Sequence, residues 1–301
     1  MVQISVHSRS SGFRNGSVQA LVLLAVFLDG AAAQPATVTE PPQRKLYLLH
    51  CAVCHGELGN GDGRAARFVF PKPRDFTTGK MRLVRTVNRV ASDADIRNSI
   101  ERGFPGTSMQ AWKYLGDESI DKLVAEVIRL REDGVRRRLQ QSIQEGDALA
   151  EPPNVENIVQ TLTVAGKAWE PPPFGEVSDA SIERGRQVYL KQSCNSCHGK
   201  NGDGSWKMDL VDDKGRPSWA TDLRFDPFKG NIDPLAIARR IVLGMPGSSM
   251  PSCGQLTDPQ LVDLVRFCES LAAEPKYELT NHQRAQRAVG FRRPAEPQES
   301  P

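Results

Sequence analysis

The sequence predicts two similar, mainly helical domains in tandem, and three observations lead to that fold. The chain has 301 residues, enough for two domains of ordinary size. Its landmarks occur twice in the same order, and the matching residues Met109 and Met250 are 141 positions apart. An aromatic content of 6%, with 25 glycines and 21 prolines, favours compact elements joined by long turns over a large sheet.

The composition excludes several classes of protein. Hydrophobic residues make up 39% of the chain and charged residues 25%, which describes a soluble globular protein without room for several membrane spans. The formal net charge is only +3, so no polyanionic partner is indicated and nucleic-acid binding is not expected.

The N-terminus carries the pattern of a secretory signal peptide. Basic residues at positions 9 and 14 precede an apolar run over 20–28, and three alanines at 31–33 suit a cleavage site. We therefore expect residues 1–33 to be removed on export, to the periplasm or beyond, with no membrane span left in the mature chain. The alternative, a retained membrane anchor, would need an apolar run about twice as long.

Four of the six cysteines lie in two C-x-x-C-H pentapeptides. On one helical turn, cysteines three residues apart face the same side and can form thioethers with the two vinyl groups of a haem. The histidine that follows then lies beneath the porphyrin, where its imidazole can bind the iron. The sequence therefore predicts two covalently attached haem c groups. The first motif consists of Cys51, Ala52, Val53, Cys54 and His55, and the second of Cys194, Asn195, Ser196, Cys197 and His198.

Three other uses of the cysteine pairs fit the sequence less well. A single zinc ion would require the pairs to converge, although they start 143 residues apart and each is followed by a histidine. A thioredoxin-like redox pair would need a βαβ pattern, which surrounds neither motif. Two simple disulfides remain open in an exported chain, but they give neither histidine a role.

The repeat extends from the cysteine motifs to two methionine loops. Each motif is followed by a Gly-Asp-Gly turn, which we place at 61–63 and 202–204. A Pro-Gly turn later precedes Met109 in the first half and Met250 in the second. Between these landmarks the offset changes from 141 to 147, so the repeat contains insertions; there Pro73-Arg74-Asp75-Phe76 matches Ala220-Thr221-Asp222-Leu223.

Met109 and Met250 are the candidate second axial ligands. A thioether sulfur is neutral and soft, and it favours ferrous haem. Most methionines only fill a core. These two, however, align with each other across the repeat, whereas Met245 aligns with Phe104 and Met81 has no counterpart.

Helices are predicted after each methionine loop and before each cysteine motif. Apolar residues recur with a 3.6-residue period over 120–130 and again over 261–271. Asp117 and Asp258 are the predicted N-caps of these two helices. Apolar residues at 46–48 and 188–190 indicate the short helices that lead into the motifs.

With these motifs the sequence resembles two tandem class I cytochrome c domains, similar to dihaem members of the exported cytochrome c family. The resemblance implies an all-α structure in which each domain is a small helical fold around one covalently attached haem. It covers 43–133 and 181–274, which are separated by a linker or strap at 134–180 and followed by a polar tail at 275–301. It also implies thioether sites at Cys51, Cys54, Cys194 and Cys197, proximal ligands at His55 and His198, and distal ligands at Met109 and Met250.

The first half departs from the family pattern at two places. It lacks the glycine usual early in the leading helix, and it has Gln110 where the second half has Pro251. The helix crossing or the methionine loop of domain one is therefore expected to differ from that of domain two.

Several residues outside the repeat also suggest roles. Cys253 and Cys268 either form a disulfide or stay as two buried thiols. His50 is expected to be badly aimed for the first haem. Apolar residues suggest that the strap packs across a domain: Ile158, Val159, Leu162 and Val164. Five arginines either hold haem propionates, steer an acidic partner or form a solvated face: Arg82, Arg85, Arg89, Arg97 and Arg102.

Two functions follow from this interpretation. The first is electron transfer by an exported dihaem carrier or redox subunit, with donor and acceptor proteins as partners and no bond-making chemistry. The second is a dihaem peroxidase, which needs an open or displaceable iron position and a nearby acid/base group. A methionine for each haem and no spare histidine inside either domain favour the carrier.

Overall fold

The computed structural model describes residues 40–146, 154–204 and 210–272, so the predicted signal peptide and polar tail lie outside the described residues. Within these ranges the fold is all-α, as predicted, and extended backbone pairs only in two isolated bridges. The helices there are α1 Pro42–His50, α2 Ala52–His55, α3 Asp93–Arg102, α4 Asp117–Gln144, α5 Val155–Thr163, α6 Asp179–Lys191, α7 Asn195–His198, α8 Pro234–Leu243 and α9 Asp258–Leu271.

The first core forms where α1 and α3 pack against α4. The apolar stripe of α4 is fully buried at Ile120, Leu123 and Leu130, as its periodicity predicts. Tyr47 of α1 lies in the same core with no exposed surface. The core therefore fixes α1, and with it the turn that carries the first cysteine motif.

The second core repeats this arrangement with α6, α8 and α9. Helix α6 crosses α9 at Gly185, where an added Cβ would collide with the carbonyl oxygen of Asp263. In the first domain α1 begins only at Pro42 and has Gln43 at the corresponding place. The close approach that Gly185 permits in domain two therefore has no glycine counterpart in α1.

The caps of the two C-terminal helices lie one residue earlier than predicted. Thr257, not Asp258, is the N-cap of α9, and it forms a capping box with Gln260. Helix α4 has Gly116 as its N-cap, with Asp117 as its first residue. Both aspartates instead lie in the first turn, where their negative charge interacts favourably with the helix dipole.

The strap contains helical structure that the sequence analysis did not predict. Helix α4 continues to Gln144, well past position 133, and α5 returns along it. Val155 and Val159 of α5 bury themselves against Val135. Two of the predicted anchors, Leu162 and Val164, are instead exposed at 38% and 56%.

After α5 the strap runs along domain one before it enters domain two. Its backbone is held there by two contacts, a bridge between Thr86 and Ala168 and a hydrogen bond of 2.7 Å from the amide of Trp169 to the carbonyl of Arg85. The Trp169 side chain packs against both cores. The strap thus connects the two domains through a shared tryptophan.

Candidate cofactor sites

The first cysteine motif forms one helical turn at the wall of a large cavity. Helix α1 ends at His50, Cys51 joins it to α2, and α2 contains the other four residues of the motif. The cavity has a volume of about 360 Å³ and brings together the four residues predicted to bind the first haem, namely Cys51, Cys54, His55 and Met109. Its size is that of a site for a large organic ligand.

The other walls of this cavity are mainly apolar. They come from the core side of α3 and α4 and from the segment between α2 and α3, and include Leu83, Ile96, Ile100, Val127 and Phe76. Burial raises the pKa of the Cys51 thiol to about 12. A thioether cannot ionise, so this buried position suits a sulfur that is bonded to a haem.

His55 is oriented by a backbone carbonyl. Its Nδ1 lies 3.0 Å from the carbonyl oxygen of Arg74. A carbonyl can only accept, so Nδ1 carries the proton and Nε2 keeps a free lone pair for a metal. Burial lowers the pKa of His55, which favours this neutral form. The ring also stacks on Phe76, with 4.7 Å between ring centroids.

The second cysteine motif has the same local geometry. His198 Nδ1 lies 3.0 Å from the carbonyl oxygen of Thr221, and burial lowers the pKa of this histidine too. Burial likewise raises the pKa of the Cys194 thiol to about 11. Arg74 and Thr221 are matching positions of the repeat, so the offset of 147 predicted there is confirmed.

Two buried tyrosines close the motifs in the same way. The hydroxyl of Tyr47 donates to the carbonyl of Gly56 at 2.7 Å, and that of Tyr189 donates to the carbonyl of Gly199, also at 2.7 Å. Burial raises the pKa of both phenols, so both remain protonated donors. In the sequence these tyrosines indicate only the helices that lead into the motifs, and their hydrogen bonds to Gly56 and Gly199 were not predicted.

The two methionine loops have matching hydrogen bonds. The amide of Phe104 donates to the carbonyl of Met109 at 2.9 Å, and the amide of Met245 donates to that of Met250 at 3.1 Å. A hydroxyl at position 107 or 248 receives a hydrogen bond from the methionine amide in each case. The methionine loop of domain one therefore has the same hydrogen bonds as that of domain two, although it has Gln110 in place of a proline.

The Gly-Asp-Gly alignment was wrong by two residues. The carbonyl of His55 accepts from the amide of Gly61, and that of His198 accepts from the amide of Gly204, both at 2.8 Å. The equivalent turns are therefore 59–61 and 202–204. The sequence Gly-Asn-Gly-Asp-Gly at 59–63 contains two overlapping candidates, and the later one was chosen.

His50 is one of the residues that line the first cavity. Its ring lies 5.2 Å from that of Trp112, another residue of the cavity wall. Domain one thus has a second histidine beside the predicted haem site. A search of the sequence for ligand spacing does not find it, because it lies next to Cys51 rather than at a ligand position.

Of the five candidate arginines, Arg82 lines the cavity. Burial lowers its pKa to about 10, which still leaves it positively charged near neutral pH. Arg85 forms an ion pair with Asp95 at 2.9 Å, and Arg97 binds acidic residues of α3 and α4. Arg89 and Arg102 are exposed. A further cavity residue, Arg74, was missed as an arginine candidate.

All six cysteines lie within the described residues, and none of them is paired in a disulfide there. Cys268 is buried, and Cys253 is partly buried with its Sγ 3.6 Å from an amide oxygen of Gln192. Cys51 and Cys194 pack against different cores, so the two pairs do not converge on one tetrahedral zinc site. In the described ranges, no group of three or more His, Cys, Asp or Glu residues is placed to hold a metal ion.

The residues present fit a haem c in domain one: two cysteines, one neutral histidine and one methionine line a mainly apolar cavity, and Arg74 and Arg82 add positive charge to its wall. The model of the family described as cytochrome c matches residues 44–125 and 182–272. The chain belongs to the cytochrome c family. Its two matches are consistent with two tandem cytochrome c domains, and the family implies covalently bound haem c and a role in electron transport.

A solved structure resembles most of this cytochrome. It is a chain of the Kuenenia stuttgartiensis reducing HAO-like protein complex Kustc0457/Kustc0458, with 26% sequence identity and a TM-score of 0.64. The match covers 76% of this chain and 95% of that chain. A search of curated proteins finds no match. Among the described helices, none is both long and apolar enough to cross a bilayer.

Proposed function

We propose that this protein is an exported, periplasmic dihaem cytochrome c that carries single electrons between partner proteins. His55 and Met109 would bind the first iron and His198 and Met250 the second, with Cys51, Cys54, Cys194 and Cys197 as thioether sites. The observation that carries the proposal is the set of hydrogen bonds around both histidines and both methionines, which is the same in the two domains. A bound haem supplies an iron that changes its charge by one electron.

The protein contributes orientation and a dry environment to this reaction. The carbonyls of Arg74 and Thr221 hold the imidazole rings and keep their Nδ1 atoms protonated. Met109 and Met250 would each offer a neutral sulfur to the iron, and an iron held by a histidine and a methionine would have no free position for oxygen or peroxide. The likeness to a chain of a protein complex supports transfer to or from a protein partner.

The proposal is tested with the purified, matured protein. We expect its mass to exceed that of the processed polypeptide by two haems, and its ferric spectrum to show the sulfur-to-iron charge-transfer band. Met109→Leu and Met250→Leu should each remove about half of this band. Met81→Leu is a matched control for the first, because Met81 lines the same cavity, and Met245→Leu is a control for the second.

Rapid reduction of peroxide, or a five-coordinate iron in the resting protein, would contradict the carrier and favour the peroxidase. The presence of His50 on the cavity wall makes this measurement necessary. A peroxide turnover that His50→Gln abolishes would assign the acid/base step to that residue.

A further inference from the structure

A loop of domain two reaches the segment of domain one that holds His55. We call residues 211–217 the bridging loop. Its ends are joined by the bridge between Val211 and Pro217, and Arg216 Nε lies 2.8 Å from a carboxylate oxygen of Asp212. The loop therefore closes on itself, and its tip presents Asp213 and Lys214 to domain one.

Asp213 holds the residue whose carbonyl orients His55. Arg74 Nη2 donates to both carboxylate oxygens of Asp213, at 2.9 and 2.6 Å. Its Nη1 donates to the carbonyl of Gly247 at 2.9 Å. The side chains of Arg74 and Asp213 are only 9% and 12% exposed, so water competes little for this ion pair. The guanidinium and the carbonyl that binds His55 both belong to Arg74. Holding the guanidinium in place therefore also restricts the movement of the carbonyl.

Lys214 holds the neighbouring residue. Its Nζ forms an ion pair with the fully buried carboxylate of Asp75 and donates to the carbonyl of Asn60 at 3.1 Å. Asn60 lies in the turn whose Gly61 amide binds the carbonyl of His55. Domain two thus contacts both segments that bind His55: the turn whose Gly61 amide binds its carbonyl, and the segment in which the Arg74 carbonyl accepts from its ring.

The bridging loop is in turn held by the methionine loop of domain two. The hydroxyl of Ser249 donates to the carbonyl of Val211 at 2.7 Å. Gly247, which accepts from Arg74, belongs to the same methionine loop. The residue next to Met250 is therefore connected to the ring of His55 through hydrogen bonds and an ion pair, with short covalent stretches of the bridging loop and of Arg74 between them.

The matching contact in domain two comes from that domain itself. Thr221, whose carbonyl orients His198, has no guanidinium, and its hydroxyl lies 3.4 Å from Lys229 Nζ of its own domain. The arrangement is asymmetric, because domain two holds the proximal segment of domain one through Arg74.

We propose that Asp213 and Lys214 are positioning residues for the first haem, and that they lower its reduction potential by keeping the Arg74 carbonyl in line with His55 Nδ1. This rests on the proposed function, in which His55 is an iron ligand. A hydrogen bond to Nδ1–H makes the imidazole more basic, and a more basic ligand stabilises ferric over ferrous iron.

The test uses the double variant Asp213→Asn/Lys214→Met of the full holoprotein, which removes one charge of each sign. In the ferrous protein, NMR should show faster solvent exchange of the His55 Nδ1 proton and unchanged exchange for His198. At a fixed ambient potential, the ferrous-to-ferric ratio of the first haem should rise roughly threefold, and that of the second should not change.

The matched control is Glu183→Gln/Arg186→Met, which removes an exposed ion pair of 2.8 Å on α6. It should change neither the exchange rates of the His55 and His198 Nδ1 protons nor the ferrous-to-ferric ratio of either haem. Asp213→Glu/Lys214→Arg, which keeps both charges, should restore slow exchange at His55. If the double variant does not fold, Asp213→Asn alone should still speed the exchange of the His55 Nδ1 proton and raise the ferrous-to-ferric ratio of the first haem, both by smaller amounts.

Unchanged exchange at His55, or equal shifts of both haems, would overturn the positioning role. Those results would not contradict the proposed electron-carrier function, because they would be obtained on a protein that carries two haems. A purified protein without covalently attached haem would instead overturn the proposed function.

Discussion

Asp75 carries a fully buried negative charge that residues from both domains stabilise. Its carboxylate accepts from the amide of Thr77 at 2.8 Å and from Arg138 Nη2 at 2.9 Å, and it pairs with Lys214 of domain two. Burial alone would raise its pKa. The hydrogen bonds from Lys214 and Thr77 outweigh burial, so the pKa of Asp75 lies below its ordinary value.

This shift predicts how the stability of the protein depends on acid. Because the folded pKa of Asp75 is below the unfolded value of about 3.9, the stabilisation is complete above about pH 5 and is lost as the pH falls through the folded value. Asp75→Asn should lower the free energy of unfolding by about 2–3 kcal/mol at pH 7. Its difference from the unsubstituted protein should shrink as the pH falls below about 4, because Asp75 takes up a proton there in the unfolded chain and only at lower pH in the folded protein.

Urea unfolding at a series of pH values measures this difference. Asp93→Asn, at an exposed position in the first turn of α3, is the control and should cost little at any pH. A difference for Asp75→Asn that stays constant from pH 7 to pH 3 would show that the charge of Asp75 does not stabilise the fold.

At the scale of residues, the sequence predicted side chains better than backbone partners. The cysteines and histidines were predicted from the spacing that covalent attachment of a haem would require, and the methionines from their alignment across the repeat. The carbonyls that orient His55 and His198 could belong to any residue, so no side-chain pattern reveals them. The same reason explains the wrong glycine alignment, because the sequence does not show which backbone groups Gly61 and Gly63 bind.

Among the elements, the crossing of α6 and α9 depends on a missing side chain. A Cβ at Gly185 would meet the carbonyl oxygen of Asp263 and would lie 2.7 Å from the Cβ of Phe267. Gly185→Ala should therefore force the helices apart and lower the free energy of unfolding by about 1–3 kcal/mol, although alanine is the better helix former. Chemical denaturation of the holoprotein measures this loss.

Gly175→Ala is the matched control, because a Cβ there would meet no atom within 4 Å. It should leave the denaturation midpoint almost unchanged. Equal midpoints for the two variants would mean that α6 and α9 can adjust without cost, and that the close approach does not stabilise domain two.

The elements also show why helix ends were predicted less well than helix centres. The apolar stripes of α4 and α9 are long and periodic, so their positions follow from the sequence. Gly134 was placed at the start of the strap, but α4 continues through it. A Cβ at Gly134 would lie 2.6 Å from Thr77, so this glycine permits close packing inside the helix rather than ending it.

For the molecule as a whole, contacts far apart in the sequence join the two domains. Phe70 stacks on Trp219 with 4.7 Å between ring centroids, and Arg74 binds Asp213. Trp169 of the strap packs against both cores. The repeat predicted two separate domains, but periodicity within each half contains no information about the surface that they share.

Trp169 is predicted to make the two domains unfold together. Replacing it with alanine removes a large apolar side chain from both cores, at a cost of about 3 kcal/mol, and weakens the coupling between them. Hydrogen exchange of the holoprotein, followed by mass spectrometry, measures the opening of α4 and α9 separately. We expect the slowest amides of the two helices to exchange with one common free energy in the unsubstituted protein and with two different ones in Trp169→Ala.

Phe174→Ala is the control for this prediction, because Phe174 packs only against the second of the two cores described here. It should speed exchange in α9 and lower the common opening free energy, but it should leave the coupling to α4 in place. If α4 and α9 still open together in Trp169→Ala, the ion pair of Arg74 with Asp213 and the stacking of Phe70 on Trp219 are sufficient to couple the domains. Trp169 would then contribute packing to each core without connecting their unfolding.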